Sequence, residues 1–400
     1  MLQGKTVLVT GGTGFIGGRL VEKLVLEEGS NVRVLVRNFA KASRIAAYPV
    51  EFLPGEITDR DAVERAIQGC DVVFHCAHDF TPELEAQRRA NVEATRNMAE
   101  LCLENEVSRL VYLSSVATYS PATVGELTES SPWPPSDDAY VLVKREVERL
   151  LRTLYEEKEL PAVVLQPTIV YGPFSTFWTL FPVQRLRAGI VPLVNGGDGI
   201  CNAVYVDDVV DAMILAAERP DVAGEVFLVS AEEPVTWKGF YRALEGAVGV
   251  ESTVEMSEAE VRALVKEKQR RGRFSSRVKR RLRSPGTWSL LGQLAAVRAA
   301  MKLVPNAVLA SAAERWLETE DSKAKGAGPS GRRVQLPNEG AIKIETSKAR
   351  ARIDKAKRQL GYSPRFDLER GMEVTRRYLE WANLTERPEA ISPLRSAPRN

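Results

Sequence analysis

The sequence predicts an α/β fold: a doubly wound parallel sheet followed by a smaller, mixed α/β C-terminal lobe. Three observations carry this. Apolar runs of strand length recur, amphipathic helical stretches separate them, and glycines cluster at the first strand–helix junction. Strands buried on both faces read as nearly unbroken apolar runs, and parallel neighbours need a crossover helix between them.

The first strand is "TVLVT" at 6–10, followed by a helical pattern over 15–28. "VRVLV" (32–36) is the next apolar run, and a helix is predicted over 59–68. "DVVFHCA" (71–77) precedes a long helical stretch over 83–106, and "RLVYLSS" (109–115) precedes another over 138–157. "AVVLQPT" (162–168) completes this alternating part. Shorter pieces follow: "NAVYV" (202–206), a helix over 207–218, "EVFLVS" (225–230) and a helix from Thr236. The expected division is a first domain over 1–170, with 202–235 crossing back to it. A second lobe is expected from 171–201 and 236–383, including an insertion over about 251–340. The tail, 384–400, is rich in Pro, Ser and Arg and reads as frayed.

Bulk composition excludes several classes. The 400 residues are 44% hydrophobic and 27% charged, with a formal net charge of +2. That is ordinary globular composition, and no global field points to nucleic acid. The four cysteines show no CxxC spacing, which suits reduced thiols in a cytoplasmic protein. "MLQGKTVLVTGG" enters a strand at once and has none of the parts of a signal peptide. No uninterrupted apolar run reaches the roughly 18 residues of a spanning helix.

The glycine cluster is the most specific local signal. "VLVTGGTGFIGGRL" fits both Gly12-x-Gly14-x-x-Gly17 and the variant Gly11-x-x-Gly14-x-x-Gly17. Such glycines allow a tight turn and let backbone approach a pyrophosphate, while the helix N-terminus offers free N–H groups. The context of strand before and helix after makes the first domain a Rossmann dinucleotide-binding unit. Gly11, Gly14, Phe15, Ile16 and Gly17 are expected around the cofactor. The second strand ends in Arg37, where an acid would bind ribose hydroxyls; an arginine suits a 2′-phosphate, so NADP is expected, with NAD the alternative. Glu56, with Ile57, follows the third strand and is placed beside the adenine.

"DDAYVLVKREVERLL" raises a further question. Tyr140 and Lys144 are four apart on a predicted helix, a spacing that chance supplies often. The rest of the chain decides. "TGGTGFIG" (10–17), "GEITD" (55–59), "VFHCAH" (73–78), "NVEAT" (91–95), "YLSS" (112–115), "YVLVK" (140–144), "QPTIVYGP" (166–173) and "NAVYVDDVV" (202–210) occur in one order. A late "SKARARIDKAKRQLGYSPRFDLERGM" adds to them. Together these resemble the extended short-chain dehydrogenase/reductase family, the group like NAD-dependent epimerases and dehydratases, over about 1–250 and 345–383.

The resemblance implies an enzyme. It makes Tyr140 the general acid or base at a carbinol or carbonyl, with Lys144 lowering the phenol pKa and binding the nicotinamide ribose. It makes Ser115 the hydroxyl that holds the substrate oxygen, with Ser114 as fallback. Cys76 and Ala77 are expected on the nicotinamide side, and Pro167, Ile169 and Val170 against the nicotinamide. Asn91 fits either a proton-relay position or a helix-packing one. His75 and His78 read as lining the site, with no metal.

Departures from the family narrow the reaction. Val116 and Ala117 follow Ser115 where dehydratases of the family carry an Asp-Glu pair, so dehydration is disfavoured. Nucleotide-sugar epimerases place an arginine before the "NAVYV" strand; here Asn202 is near that position, leaving Arg185 or Arg187 as substitutes. The first expectation is an NADP-dependent oxidoreductase acting on a secondary alcohol or ketone of a bulky small molecule, lipid-like or sugar. An epimerase holding NAD is the second, and a cofactor-sensing scaffold the third. The apolar, aromatic "GPFSTFWTLF" (172–181) is a candidate for the substrate wall.

Residues 266–283 carry ten Lys or Arg and one Glu, and an amphipathic stretch follows. A solvated basic helix is one reading. Peripheral contact with an anionic membrane, through 266–316 and at the inner face, is the other. Few aromatics interleave with the arginines, which argues against nucleic acid. The family also implies a homodimer through 83–106 and 138–157.

Overall fold

The computed structural model of the chain describes residues 2–120, 124–282 and 333–385. Seven strands form one sheet. They are β1 (Thr6–Thr10), β2 (Asn31–Val36), β3 (Val50–Pro54), β4 (Val72–His75), β5 (Arg109–Leu113), β7 (Ala162–Pro167) and β12 (Val226–Val229), with β6 (Val124–Leu127) outside it. The order is β12-β7-β5-β4-β1-β2-β3, and every pairing is parallel. This is the Rossmann sheet that the apolar runs predict. The order reverses between β1 and β4, so their carboxyl ends open a crevice where ligands bind in such sheets.

Helices α1 (Phe15–Leu26), α2 (Arg60–Ile67), α3 (Leu84–Gln87), α4 (Ala94–Glu104) and α5 (Ala139–Lys158) fill the crossovers. On one side, Val63, Ile67, Met98, Leu101, Val147 and Leu151 pack against Leu8, Val73, Leu110 and Val164 of the sheet. On the other, α1 packs on α7 (Val206–Glu218), which in turn lies against β5 and β7.

Three features differ from the apolar pattern. β3, "VEFLP", is an edge strand too polar to stand out as an apolar run. The long helix over 83–106 is interrupted by a π-helical turn, Arg88–Glu93. "NAVYV" yields β11 (Ala203–Tyr205), which pairs with β8 (Ile169–Tyr171) in a separate two-stranded sheet; β12 takes the sheet edge.

The chain divides into two compact units. One holds the chain up to Gln184, Gly197–Glu251 and the stretch from Lys343. In it, the late "SKARA" segment forms β15 (Lys348–Ala351), parallel to β6. The other holds Arg185–Gly196 and the described part of Ser252–Ile342. There β9 (Val191–Val194) pairs with β14 (Thr253–Met256), and Val194, Val261, Val265 and Ile342 make a small core beside α9 (Glu258–Leu282). Residues 283–332, which carry most of the expected membrane-contact stretch, and the tail from 386 lie outside the described residues. Among the described residues, no helix is long and apolar enough to cross a membrane.

Candidate active site

The crevice at the carboxyl edge is a cleft of about 850 Å³. Its floor is the glycine turn. Gly11 has a φ of +72°, and a Cβ there would lie 2.7 Å from the Ala77 nitrogen at the end of β4. A Cβ on Gly17 would overlap the Gly11 carbonyl, and one on Gly12 would lie 2.8 Å from Val34. Only hydrogen fits at these positions, so the turn lies flat against its neighbours. Helix α1 starts at Gly14, which offers no side-chain cap, so its first N–H groups face the cleft with Phe15 and Ile16. A cradle of this kind accepts a pyrophosphate.

At the far end of the cleft, Arg37 is exposed and lies 3.7 Å from Asp79, flanked by Asn38 and Lys41. Glu56 and Ile57 line the same end. Two cations beside an asparagine are a set that suits a 2′-phosphate, and the acids at this end are Glu56 and Asp79. Cys76, Ala77, Pro167 and Val170 line the opposite end. Ile169 does not; it is buried within β8, and Thr168 takes its place on the wall. Burial pushes the Cys76 thiol up to about 12, so it remains a neutral wall group.

The hydroxyl-bearing residues meet here. Asp138 caps α5, accepting from the backbone of Tyr140 at 2.9 Å and of Val141 at 3.2 Å, which fixes Tyr140 in the first turn. Ser115 accepts from Ala117 N at 3.1 Å and also hydrogen-bonds the Tyr140 side chain. Ser114 also borders the cleft, but its hydroxyl is turned to the Glu148 carboxylate, which leaves the Ser115 hydroxyl beside Tyr140. Lys144, one turn after Tyr140, is buried. It donates to the Leu113 carbonyl at 2.8 Å and the Tyr112 hydroxyl at 3.1 Å, and lies 5.9 Å from the Tyr140 ring centroid. The expected lowering of the phenol pKa is therefore not seen. Burial raises it, and the Ser115 hydrogen bond only partly offsets that.

A turn-forming glycine cradle leads into this Ser–Tyr–Lys group on one sheet edge, and the comparison with known families agrees. The NAD dependent epimerase/dehydratase family model matches residues 7–230, more than half of the chain. The chain belongs to this family. Two relatives are a UDP-glucose 4-epimerase of Vibrio cholerae and a ketoreductase of Stigmatella aurantiaca that acts on 4-hydroxy-2-methyl-3-oxo-4-farnesyl-3,4-dihydroquinoline-1-oxide. The first is 29% identical over 252 residues, covering 60% of this chain and 75% of the relative. The second is 28% identical over 250 residues, covering 62% and 74%. Among solved structures, UDP-glucuronic acid 4-epimerase of Bacillus cereus in complex with NAD shares the fold, with a TM-score of 0.65 at 18% identity over 94% of this chain and 99% of that one. As an epimerase/dehydratase family member of the extended short-chain type, the protein is an NAD(P)-dependent oxidoreductase or epimerase.

In this family member, other groups complete the site. Glu148 stands one turn beyond Lys144 and is 6% exposed. Gln166 donates to its two oxygens at 3.0 and 2.9 Å. Burial pushes Glu148 up to about 7 against these partners, while burial brings Lys144 down to about 8 against the attraction of Glu148. His75 is fully partnered, by Thr10 at 2.7 Å and Thr95 at 3.0 Å, and burial holds it neutral with a pKa near 3. Asn91 clamps the loop after β4, accepting from Asp79 N at 2.8 Å and donating to Asp79 O at 3.1 Å. It therefore serves as a loop clamp rather than helix packing alone. Sequence reasoning missed Glu148, Tyr112 and Gln166. Glu148 had a signal: Tyr140, Lys144 and Glu148 share one helix face at successive four-residue steps.

Proposed function

We propose that the protein is an NADP-dependent ketone reductase for a bulky, largely apolar substrate. The observation that carries this is the aromatic wall beside Tyr140. Phe80 stacks on Tyr140 at 5.7 Å between centroids and is tilted against Phe177 at 6.0 Å, and Phe177 meets Phe181 edge-on at 5.6 Å. Phe80, Phe177 and Phe181 are 60, 57 and 47% exposed. Rings left open beside a proton donor favour an apolar ligand. The farnesyl-bearing ketone in the name of the Stigmatella relative is consistent with this.

The roles follow from position. Ser115 holds the carbonyl oxygen, and Tyr140 passes its phenolic proton to that oxygen. Lys144 keeps a positive charge beneath them. The glycine turn and α1 hold the pyrophosphate, and Arg37 with Lys41 holds a 2′-phosphate. Bound NADPH supplies the hydride. The wall excludes water from the reacting face.

The epimerase reading uses the same Ser115, Tyr140 and Lys144, and the Vibrio relative favours it. Two features weigh against it. Asn202 exchanges both amide hydrogen bonds with the backbone, to Ala349 O at 2.9 Å and from Ala351 N at 2.9 Å, so it is not free to grip a diphosphate. Arg185 donates to Gln335 O at 2.9 Å. The deciding experiment is to denature the purified protein and identify the released nucleotide. An empty site that binds NADPH more tightly than NADH supports the reductase, whereas stoichiometric NAD overturns it in favour of the epimerase.

A further inference from the structure

His78 lies at the reacting end of the cleft, edge-on to the Tyr140 ring at 4.9 Å and to the Phe80 ring at 4.6 Å. Both of its ring nitrogens are buried, and neither has a hydrogen-bond partner among the described residues. His75, three residues earlier on the same segment, has both nitrogens matched by threonines. The contrast matters, because buried polar groups are nearly always paired.

The loop that carries His78 is built rather than loose. Asn91 holds the next residue by both its N–H and its carbonyl, Asp79 accepts from Thr81 N at 2.8 Å, and Gln87 donates to Thr81 O at 2.7 Å. Asn91 sits in the π-helical turn, Arg88–Glu93. Such turns recur at functional sites. Phe80 covers the pair formed by His78 and Tyr140, and its exposure lets a ligand displace it.

The charge state of the ring narrows the ligand. Burial, reinforced by the charge of Lys144, holds the His78 pKa near 2. A neutral imidazole offers one donor and one acceptor. That pair matches a hydroxyl or carbonyl oxygen, and offers no charge to a carboxylate.

We propose that His78 determines specificity: it pairs with a second, uncharged oxygen of the substrate, one or two carbons from the carbonyl that Tyr140 protonates. The enzyme then selects α- or β-oxygenated ketones over plain ones. This rests on the reductase reading.

The test compares propiophenone with its α-hydroxy and β-hydroxy derivatives, using NADPH and the full-length protein. Wild type is expected to favour at least one hydroxylated ketone by about tenfold or more in kcat/KM. His78→Phe keeps the ring packing and should shrink that advantage to about threefold or less, while His78→Gln, with a donor and an acceptor, retains part of it. NADPH titration of each variant checks that it is folded. An equal advantage in His78→Phe, or none in wild type, overturns the proposal while leaving the reductase intact. If wild type reduces none of the three, calorimetry separates the two ideas. Binding of a hydroxylated ketone that weakens in His78→Phe supports the His78 site and overturns the reductase. No binding at all overturns both.

Discussion

Lys144 donates to the Tyr112 hydroxyl at 3.1 Å, across from α5 to β5, and not to Tyr140. The two tyrosines therefore divide the work. Tyr112 is a buried acceptor for a buried cation, and Tyr140 is a donor open to the cleft. Tyr140→Phe is expected to lower kcat by about 10²–10⁴ with stability nearly unchanged. Tyr112→Phe should instead cost about 1–3 kcal/mol of stability, because it leaves an ammonium donor short of a partner. Urea melts and steady-state rates on the two variants check the division. Equal effects of the two on stability would contradict it.

Glu148 couples that cation to pH. Its folded pKa, about 7, lies above the ordinary 4.5, so the native state holds the proton more tightly than the unfolded one. The stability from this group is full below 4.5 and is lost as pH rises through 7. The loss amounts to ~3 kcal/mol. Glu148→Gln should remove that slope, which urea melts at several pH values between these limits would show. The same substitution removes the anion that supports Lys144, whose pKa is already down to about 8. The alkaline limb of kcat/KM should then move to lower pH, by about one unit. An unmoved limb would mean that Lys144 does not set it.

Arg37 is the proposed discriminator between cofactors. It is exposed, and its nearest acid, Asp79, is 3.7 Å away, so the guanidinium can swing to a phosphate without breaking a buried contact. Arg37→Ala is expected to weaken NADPH binding about tenfold, with Lys41 retaining part of the attraction, and to change NADH binding little. Fluorescence titration with both nucleotides measures this. Equal losses for the two would remove Arg37 from the 2′-phosphate site.

Much of this was legible in the sequence because it depends on local rules. The glycine spacing states where side chains cannot fit, and the apolar runs state which strands are buried on both faces. The rest depends on long-range geometry. Nothing local says that Ser114 turns inward to Glu148, 34 residues on, or that Lys144 reaches Tyr112, 32 residues back. β3 does not stand out as an apolar run, because an edge strand needs few apolar residues. The direction of the Tyr140 shift is hidden from the sequence for a related reason. Spacing places a charge nearby, but it does not reveal how much burial surrounds the phenol.

Gly17 and Gly246 make a matched pair for the cradle. Both lie in helices, where alanine is ordinarily better than glycine by about 1 kcal/mol. At Gly246, in α8 (Trp237–Val248), nothing lies within 4 Å of an added Cβ, so Gly246→Ala should stabilise by about 0.5–1 kcal/mol. At Gly17 the added carbon would overlap the Gly11 carbonyl and lie 2.8 Å from the Gly11 carbonyl carbon. That obstacle is backbone, which cannot swing aside as a side chain would. Gly17→Ala is therefore expected to destabilise by about 1–3 kcal/mol despite the better helix former. It should also weaken dinucleotide binding, since relief requires the turn to lift from the β4 end. Thermal melts and nucleotide titration on both variants give the comparison. A Gly17→Ala protein as stable as Gly246→Ala, with full affinity, would show that the turn is not the tight cradle described.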